Sequence, residues 1–436
     1  MRSAPRESDS GGELAAGSRR QKGEHVKKQV SEKVREKDLL EIVDEVAKGR
    51  ISRRQFLERG LAMGLSVSAV GTVLAACGKK VNKNTSETMP SMDQTKPKSI
   101  NLWNWADYMD NATKKNFTAK YGIQVKESYF DDNEALRTKL MAGGGAGYDV
   151  MVPSDYMVHI LIKSNLVEPL DIKGYNSSTP EGFIPNFEGV GPSFKNPVYD
   201  DPKEFGGFHH SVPYAWGTTG IGHRTDVLPA QITGWADLWN PAYSQKIDML
   251  NDEREDLGAA LKKNGHSLNT KVQSELDTAM NDLIKQKPYV RTYDSISPKS
   301  AMIKGMALTH CWTGDVVLAL WSGAVTTKNL EFVLPIEGIP VFVDNLCIPP
   351  NPNSRYGAHL FMNYLLDPAV QAPLQAWIGY FSPVPAAVPM VKKLDSNVYA
   401  FAPTEAQLAL PTTEVYNDLG DFAQAYATAW QTVKGA

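Results

Sequence analysis

Several kinds of chemistry are missing from this chain. Cysteine is scarce: beyond Cys77 there are only Cys311 and Cys347. These two would bond in an oxidising compartment only if the fold brought them together, and they serve equally well as inert buried thiols. The eight histidines contain no i, i+4 pair, and His209-His210 is adjacent in sequence rather than spaced for chelation. Neither His-Glu-x-x-His nor Gly-x-Ser-x-Gly occurs, which removes the common metalloprotease and nucleophile-elbow signatures. Gly143-Gly144-Gly145 lacks the spacing and the lysine of a phosphate cradle. The uncharged run Leu61 to Ala76 is 16 residues rich in Gly, Ala and Ser, short and only mildly apolar for a membrane span. A basic excess is absent too. The net charge is −3, and residues 1–77 hold 15 Lys/Arg against 11 Asp/Glu, leaving 31 against 38 for residues 78–436. That acidic remainder argues against nucleic acid and is compatible with a cationic ligand. No metal and no cofactor is expected.

What is present has the apolar (42%) and charged (22%) fractions of an ordinary globular protein. At 436 residues it is too long for one core and suits two domains plus extra segments. Residues 1–50 form a charged extension with an amphipathic helix expected over Ser31 to Lys48. Residues 51–77 join Ser52-Arg53-Arg54-Gln55-Phe56-Leu57 to the uncharged run and to Leu74-Ala75-Ala76-Cys77. A positive region, a modest apolar stretch and small residues before a cut site describe a secretory signal. The paired arginines resemble the twin-arginine export motif. The last four residues resemble a bacterial lipobox, which implies lipid modification of Cys77. Residues 78–98, almost free of apolar side chains, read as a flexible tether.

The globular part begins with a strand over 99–104, followed by strands over 123–129 and 148–153, with helices over 110–121, 132–142 and 155–166. Strands alternating with helices imply right-handed βαβ units on a parallel sheet. Ser211 to Gly222 reads as a strand crossing into a second α/β unit, and Val341 to Pro349 as the crossing back. The turn around Tyr380 would be a third crossing. Candidate ligand residues gather where strands end, the place where open α/β sheets keep their sites. Trp105, Asp107 and Tyr108 follow the first strand, and Ser154 and Tyr156 the third. Ser154 either caps the next helix or donates to a ligand. Asp252 and Glu255, at i, i+3, share one face of a first helical turn, where the helix dipole alone would also favour them. Trp312 and Asp315 follow a later strand. Phe342 precedes Asp344, a carboxylate inside an apolar run that needs a cationic partner or donors. Trp235 and Trp239, at i, i+4, read as core. Aromatic faces beside carboxylates suit a flexible apolar cation. A hydrolase using two of these carboxylates is an alternative on residue types alone.

From about Ile100 to the C-terminus, roughly three quarters of the chain, the sequence resembles the bacterial polyamine-binding proteins of spermidine/putrescine uptake systems. The resemblance is carried by Asn104-Trp105-Ala106-Asp107-Tyr108, Tyr148-Asp149-Val150-Met151-Val152-Pro153-Ser154 and Pro213-Tyr214-Ala215-Trp216-Gly217-Thr218-Thr219-Gly220-Ile221-Gly222. Trp235-Ala236-Asp237-Leu238-Trp239 and Trp312-Thr313-Gly314-Asp315 extend it. It implies an α/β, two-lobed periplasmic-binding-protein fold (type II, Venus-flytrap) with crossing strands between lobes. Lobe 1 would be 99–217 plus 341–383, and lobe 2 would be 218–340 plus 384–436. It implies a monomer without enzymatic activity that captures putrescine or spermidine and delivers it to an ABC permease and ATPase, from the periplasm or from the outer face of the cytoplasmic membrane through lipidated Cys77. A sensor lipoprotein without a permease could use the same cleft. Aromatic walls carry over to Trp105, Tyr108, Trp312, Phe342 and Tyr380. Ammonium partners fall on Asp107, Asp252, Glu255 and Asp344, with Ser154 and Tyr156 as hydroxyl contacts. Asp315 and Phe342 resemble the putrescine-type members, and Asp252 with Glu255 and Tyr156 the spermidine-type. Ala106 stands where the family usually has Thr or Ser, and Tyr416 where spermidine-type members have Gln.

Overall fold

The computed structural model describes residues 89–92, 95–130, 132–174 and 183–436. The expected N-terminal helix, export signal, lipid site and most of the tether lie outside these residues. Apart from Met141–Gly143, the described chain belongs to one compact unit, Ser86–Leu140 with Gly144–Ala436.

Strands β1 (Ser99–Asn104), β2 (Gln124–Tyr129) and β3 (Val150–Met151) pair in parallel around β1. Helices α1 (Asn111–Tyr121), α2 (Asn133–Lys139) and α3 (Asp155–Lys163) alternate with them. Local chemistry sets the boundaries. Asp110 caps α1 by accepting from the Thr113 N–H at 2.8 Å, and Gly122 ends it at φ 68°, a left-handed turn without steric cost for glycine. Asp132 caps α2 in the same way through the Ala135 N–H. The helix expected to 142 stops at Lys139 and widens into a π-type turn over Leu140–Gly144, broken by Gly143 at φ 81°.

The two lobes share one sheet in the order β2, β1, β3, β9 (Pro340–Cys347), β4 (Ser211–His223), β7 (Leu308–Trp312), β5 (Ile247–Met249), β6 (Val290–Tyr293). Its middle is made by β4 (Ser211–His223) and β9 (Pro340–Cys347). Residues 211–218 of β4 pair antiparallel with β9, whereas 219–223 pair with β7 (Leu308–Trp312) and with β8 (Glu331–Val333). A single strand therefore enters the first lobe's sheet at one end and the second lobe's at the other. Trp216 and Phe381 exchange backbone hydrogen bonds at 3.0 Å in both directions, which ties the segment after Tyr380 to the same junction. The second lobe's parallel strands β5 (Ile247–Met249), β6 (Val290–Tyr293) and β7 mirror the first lobe's. Helix α4 (Glu253–Lys263) follows β5 and packs on α5 (Gln273–Gln286). The latter, and a short helix α6 (Pro298–Ile303), have no counterpart in the sequence reading. Helix α7 (Thr313–Trp321) leaves the end of β7.

One core cluster joins Ile100, Leu102, Phe117 and Val150 to Phe361 and Leu365 from α8 (Arg355–Leu365). Another joins Trp235, Ile247 and Leu308 to Tyr426 and Trp430 from the last helix, α9 (Ala423–Gly435). Trp235 is fully buried in a 3₁₀ turn over 235–239, and its indole donates to Gly338 O at 3.0 Å. The sequence reading puts 384–436 together in lobe 2, but the side chains divide differently. Val384, Ala387, Val391 and Val398 join the first cluster and the last helix joins the second. The cause is an apolar face at 384–398 packed against the helix Pro368–Ile378.

Candidate functional site

Two parallel pairs of strands, β1 with β3 and β5 with β7, run in opposite directions across the shared sheet, and the loops that follow them carry the candidate residues. Tyr108 is turned inward behind the short loop after β1. Its hydroxyl donates to Asp344 Oδ2 at 2.7 Å, and its ring meets Tyr214 and Tyr380 edge-on. Ser154 opens α3 without making a capping hydrogen bond. Its hydroxyl instead donates to Asp344 Oδ1 at 2.7 Å and is held by Asn133 Nδ2 at 3.1 Å. Between capping and the cleft, the cleft wins. Both oxygens of Asp344, 6% exposed, are met by neutral hydroxyls. Burial pushes its carboxyl up to about 6, and the hydrogen bonds from Tyr108 and Ser154 work the other way.

From the second lobe, Glu255 accepts from the Trp312 indole at 2.9 Å, the Thr219 hydroxyl at 3.1 Å and the Tyr416 hydroxyl at 2.6 Å. These donors too are neutral. Burial and the neighbouring charge of Asp252 push Glu255 up. Asp252 spends Oδ1 on the N–H groups of Arg254 and Glu255, so it caps α4 as well as standing at the cleft, and burial raises it. Asp315 accepts from the Trp312 N–H at 3.2 Å and is pushed up to about 7, chiefly by burial.

Tyr380 joins these groups. Its phenol is held well above its usual range, first by burial and then by the charges of Asp315 and Asp344, with Glu255 adding to them. Its ring meets Phe342 edge-on at 5.8 Å. The close packing depends on two glycines. A Cβ at Gly314 would fall 2.4 Å from the Tyr380 ring, and one at Gly217 would fall 2.6 Å from Phe342. Three buried carboxylates from three elements thus each accept from an aromatic residue of the site, Asp344 from Tyr108 and Asp315 and Glu255 from Trp312.

The expected residues are not all equivalent. Trp105 packs on Phe130 and donates its indole N–H to Val152 O at 2.8 Å, so its ring is fixed by the first lobe. Tyr156 donates to Glu134 Oε1 at 3.0 Å. Asp107 departs most from expectation. Its side chain is 73% exposed, on a loop residue at φ 55°, and its nearest cation is Lys299 of the second lobe at 3.3 Å. Glu134, Thr219 and Arg254 were not anticipated. The signal for Glu134 was available, since it opens the helix after β2 just as Ser154 opens the helix after β3. Arg254, almost buried, lies over the rings of Tyr156, Tyr416 and Tyr426 and donates to Asn417 O and Asn269 Oδ1. Cys311 and Cys347 are both buried and free, in separate core clusters.

Two α/β lobes joined by shared strands, with unneutralised carboxylates and aromatic rings between them, define a protein that encloses a small solute. Residues 112–402 match the family described as bacterial extracellular solute-binding protein, and the chain belongs to that family. It is 32% identical over 338 residues to the spermidine/putrescine-binding periplasmic protein of Salmonella typhimurium, covering 77% of this chain and 91% of that one. A putrescine-binding periplasmic protein of Pseudomonas aeruginosa is 30% identical, covering 71% of this chain and 84% of its own. Among solved structures, the substrate-binding protein of a spermidine/putrescine ABC transporter from Streptococcus pneumoniae matches with a TM-score of 0.63 at 29% identity. That match covers 78% of this chain and 99% of that one. The protein is a solute-binding component of transport and not an enzyme.

Proposed function

We propose that the protein captures a polyamine, putrescine or spermidine, between its lobes and delivers it to an ABC permease. The observation that carries this reading is that Asp344 accepts from Tyr108, whose ring packs on Tyr380, while Asp315 and Glu255 both accept from Trp312, with only neutral hydrogen-bond donors reaching the three acids. Buried carboxylates without a cation are unfavourable. An alkyl diammonium supplies the countercharge, and its methylenes lie against Phe342, Tyr108, Tyr380 and Trp312. Charged hydrogen bonds of this kind contribute ~1.5–3 kcal/mol each. The ligand favours the closed arrangement because that arrangement joins acids from both lobes.

The names of the relatives support both the ligand class and export to the periplasm. Lipidation of Cys77, anchoring to the outer face of the cytoplasmic membrane and a monomeric state complete the proposal, as do the ligand roles of Trp105, Tyr156 and Asp252. A thermal-shift series with putrescine, spermidine, spermine and lysine tests it. A ligand bound only by the folded state adds ~2.7 kcal/mol at a hundredfold excess over Kd. A rise with a polyamine and none with lysine is expected, and no rise with any polyamine would sink the reading.

A further inference from the structure

Two basic side chains of the second lobe already stand in the acidic cleft. Lys299, on α6, reaches across to Asp107 Oδ2 at 3.3 Å. Its charge also acts on Asp315, partly opposing the effect of burial there. On the other side, beside Asp252, the Arg254 guanidinium is held at 5.2–5.4 Å over three tyrosine rings. Asp315, Asp344 and Glu255 are buried and met by neutral hydrogen-bond donors. The chain therefore pairs a lysine of its own with Asp107 and sets an arginine beside Asp252, while Asp315, Asp344 and Glu255 meet only neutral hydrogen-bond donors.

Building on the polyamine reading, we propose that Lys299 sets ligand length. It occupies the Asp107 carboxylate from within the protein and repels a third ammonium placed beyond Asp315, so the cleft takes a diamine in preference to a triamine. Asp107, which the sequence assigns to ligand, is in this scheme the partner of Lys299. The left-handed backbone at Asp107, tolerated by Asp better than by most residues, directs the carboxylate outward to the rim where Lys299 can reach it. A triamine has to displace Lys299 from Asp107 or leave an ammonium beside it, and like charges in a partly desolvated cleft disfavour both.

Isothermal titration of putrescine and spermidine into the wild type, Lys299→Met and Lys163→Met tests this. Methionine keeps the length of the side chain and removes its charge. Lys163 makes the control because it forms a different pair between the lobes, with Asp418 at 3.3 Å, and is half exposed. The wild type is expected to bind putrescine more tightly. Lys299→Met should shift the affinity ratio about tenfold towards spermidine, the size expected for one partly screened like charge, while Lys163→Met leaves the ratio unchanged. A ratio that moves by less than about twofold in Lys299→Met, an equal shift in Lys163→Met, or a wild type that prefers spermidine overturns the role of Lys299 and leaves the polyamine reading standing. No binding of either amine to any of the three proteins removes both.

Discussion

Asp344 lies within β9, its backbone paired with Ala215, and its side chain points away from the apolar core into the cleft. Nothing but hydroxyls compensates its charge. Asp344→Asn keeps the shape and the hydrogen-bonding positions and removes the charge that an ammonium would meet. It should weaken polyamine binding by about 1.5–3 kcal/mol, roughly ten- to a hundredfold in Kd by titration calorimetry. Trp235→Ala, deep in the second lobe's core, should do the reverse: an expected stability loss of ~3–5 kcal/mol in chemical denaturation, with the folded fraction binding as before. Equal effects of the two on Kd would contradict the site drawn here. Gly314 tests the aromatic wall. A methyl group there meets the Tyr380 ring, so Gly314→Ala should lower stability by ~1–3 kcal/mol through overpacking and weaken binding at the same time. An unchanged Kd would mean that Tyr380 is not a wall of the ligand site.

At the scale of elements, the molecule depends on β4 being long enough to serve two sheets. Its 13 residues carry Thr219, a donor to Glu255, immediately after the last residue paired with β9. Closing of the lobes therefore acts on a strand that also carries a cleft residue. The two cysteines sit on different strands of this junction, Cys311 on β7 and Cys347 on β9, and face separate clusters. Thiol titration of the denatured, unreduced protein should find both free, and a reductant should leave the melting temperature unchanged. A reductant-dependent melting temperature would contradict this placement.

At the scale of the whole molecule, the cleft makes stability depend on pH. Asp344 at about 6 and Asp315 at about 7 stand above their ordinary 3.8, so the ligand-free folded state holds protons that the unfolded chain has released. Stability from these groups is fully present below about pH 4 and is lost as pH rises through 6 and 7. The ligand-free protein should therefore lose stability from these sites between about pH 4 and 7, and polyamine should restore it. Affinity should be higher at pH 8 than at pH 5.5, with protons released on binding. Calorimetry in buffers of different ionisation enthalpy measures that release. Proton uptake on binding would contradict the assignment.

Periodicity and turn residues in the sequence were enough for the alternation of strands and helices and for the strands that join the lobes. These are local consequences of side-chain chemistry, written within a few neighbouring residues. Aromatic and acidic residues at strand ends were legible for a related reason, because parallel strands place their following loops at one edge. Other features depended on atoms hundreds of residues apart. Ser154 donates to Asp344 rather than capping its helix, Tyr380 fits over Gly314, and residues 384–398 pack with the first core. Asp107 shows the division most plainly. As a letter beside Trp105 and Tyr108 it looked like its neighbours in the cleft, yet its left-handed backbone and a lysine 192 residues away put it at the rim. Composition limits what a cleft can attract; only packing between the lobes decides which charges it leaves uncompensated.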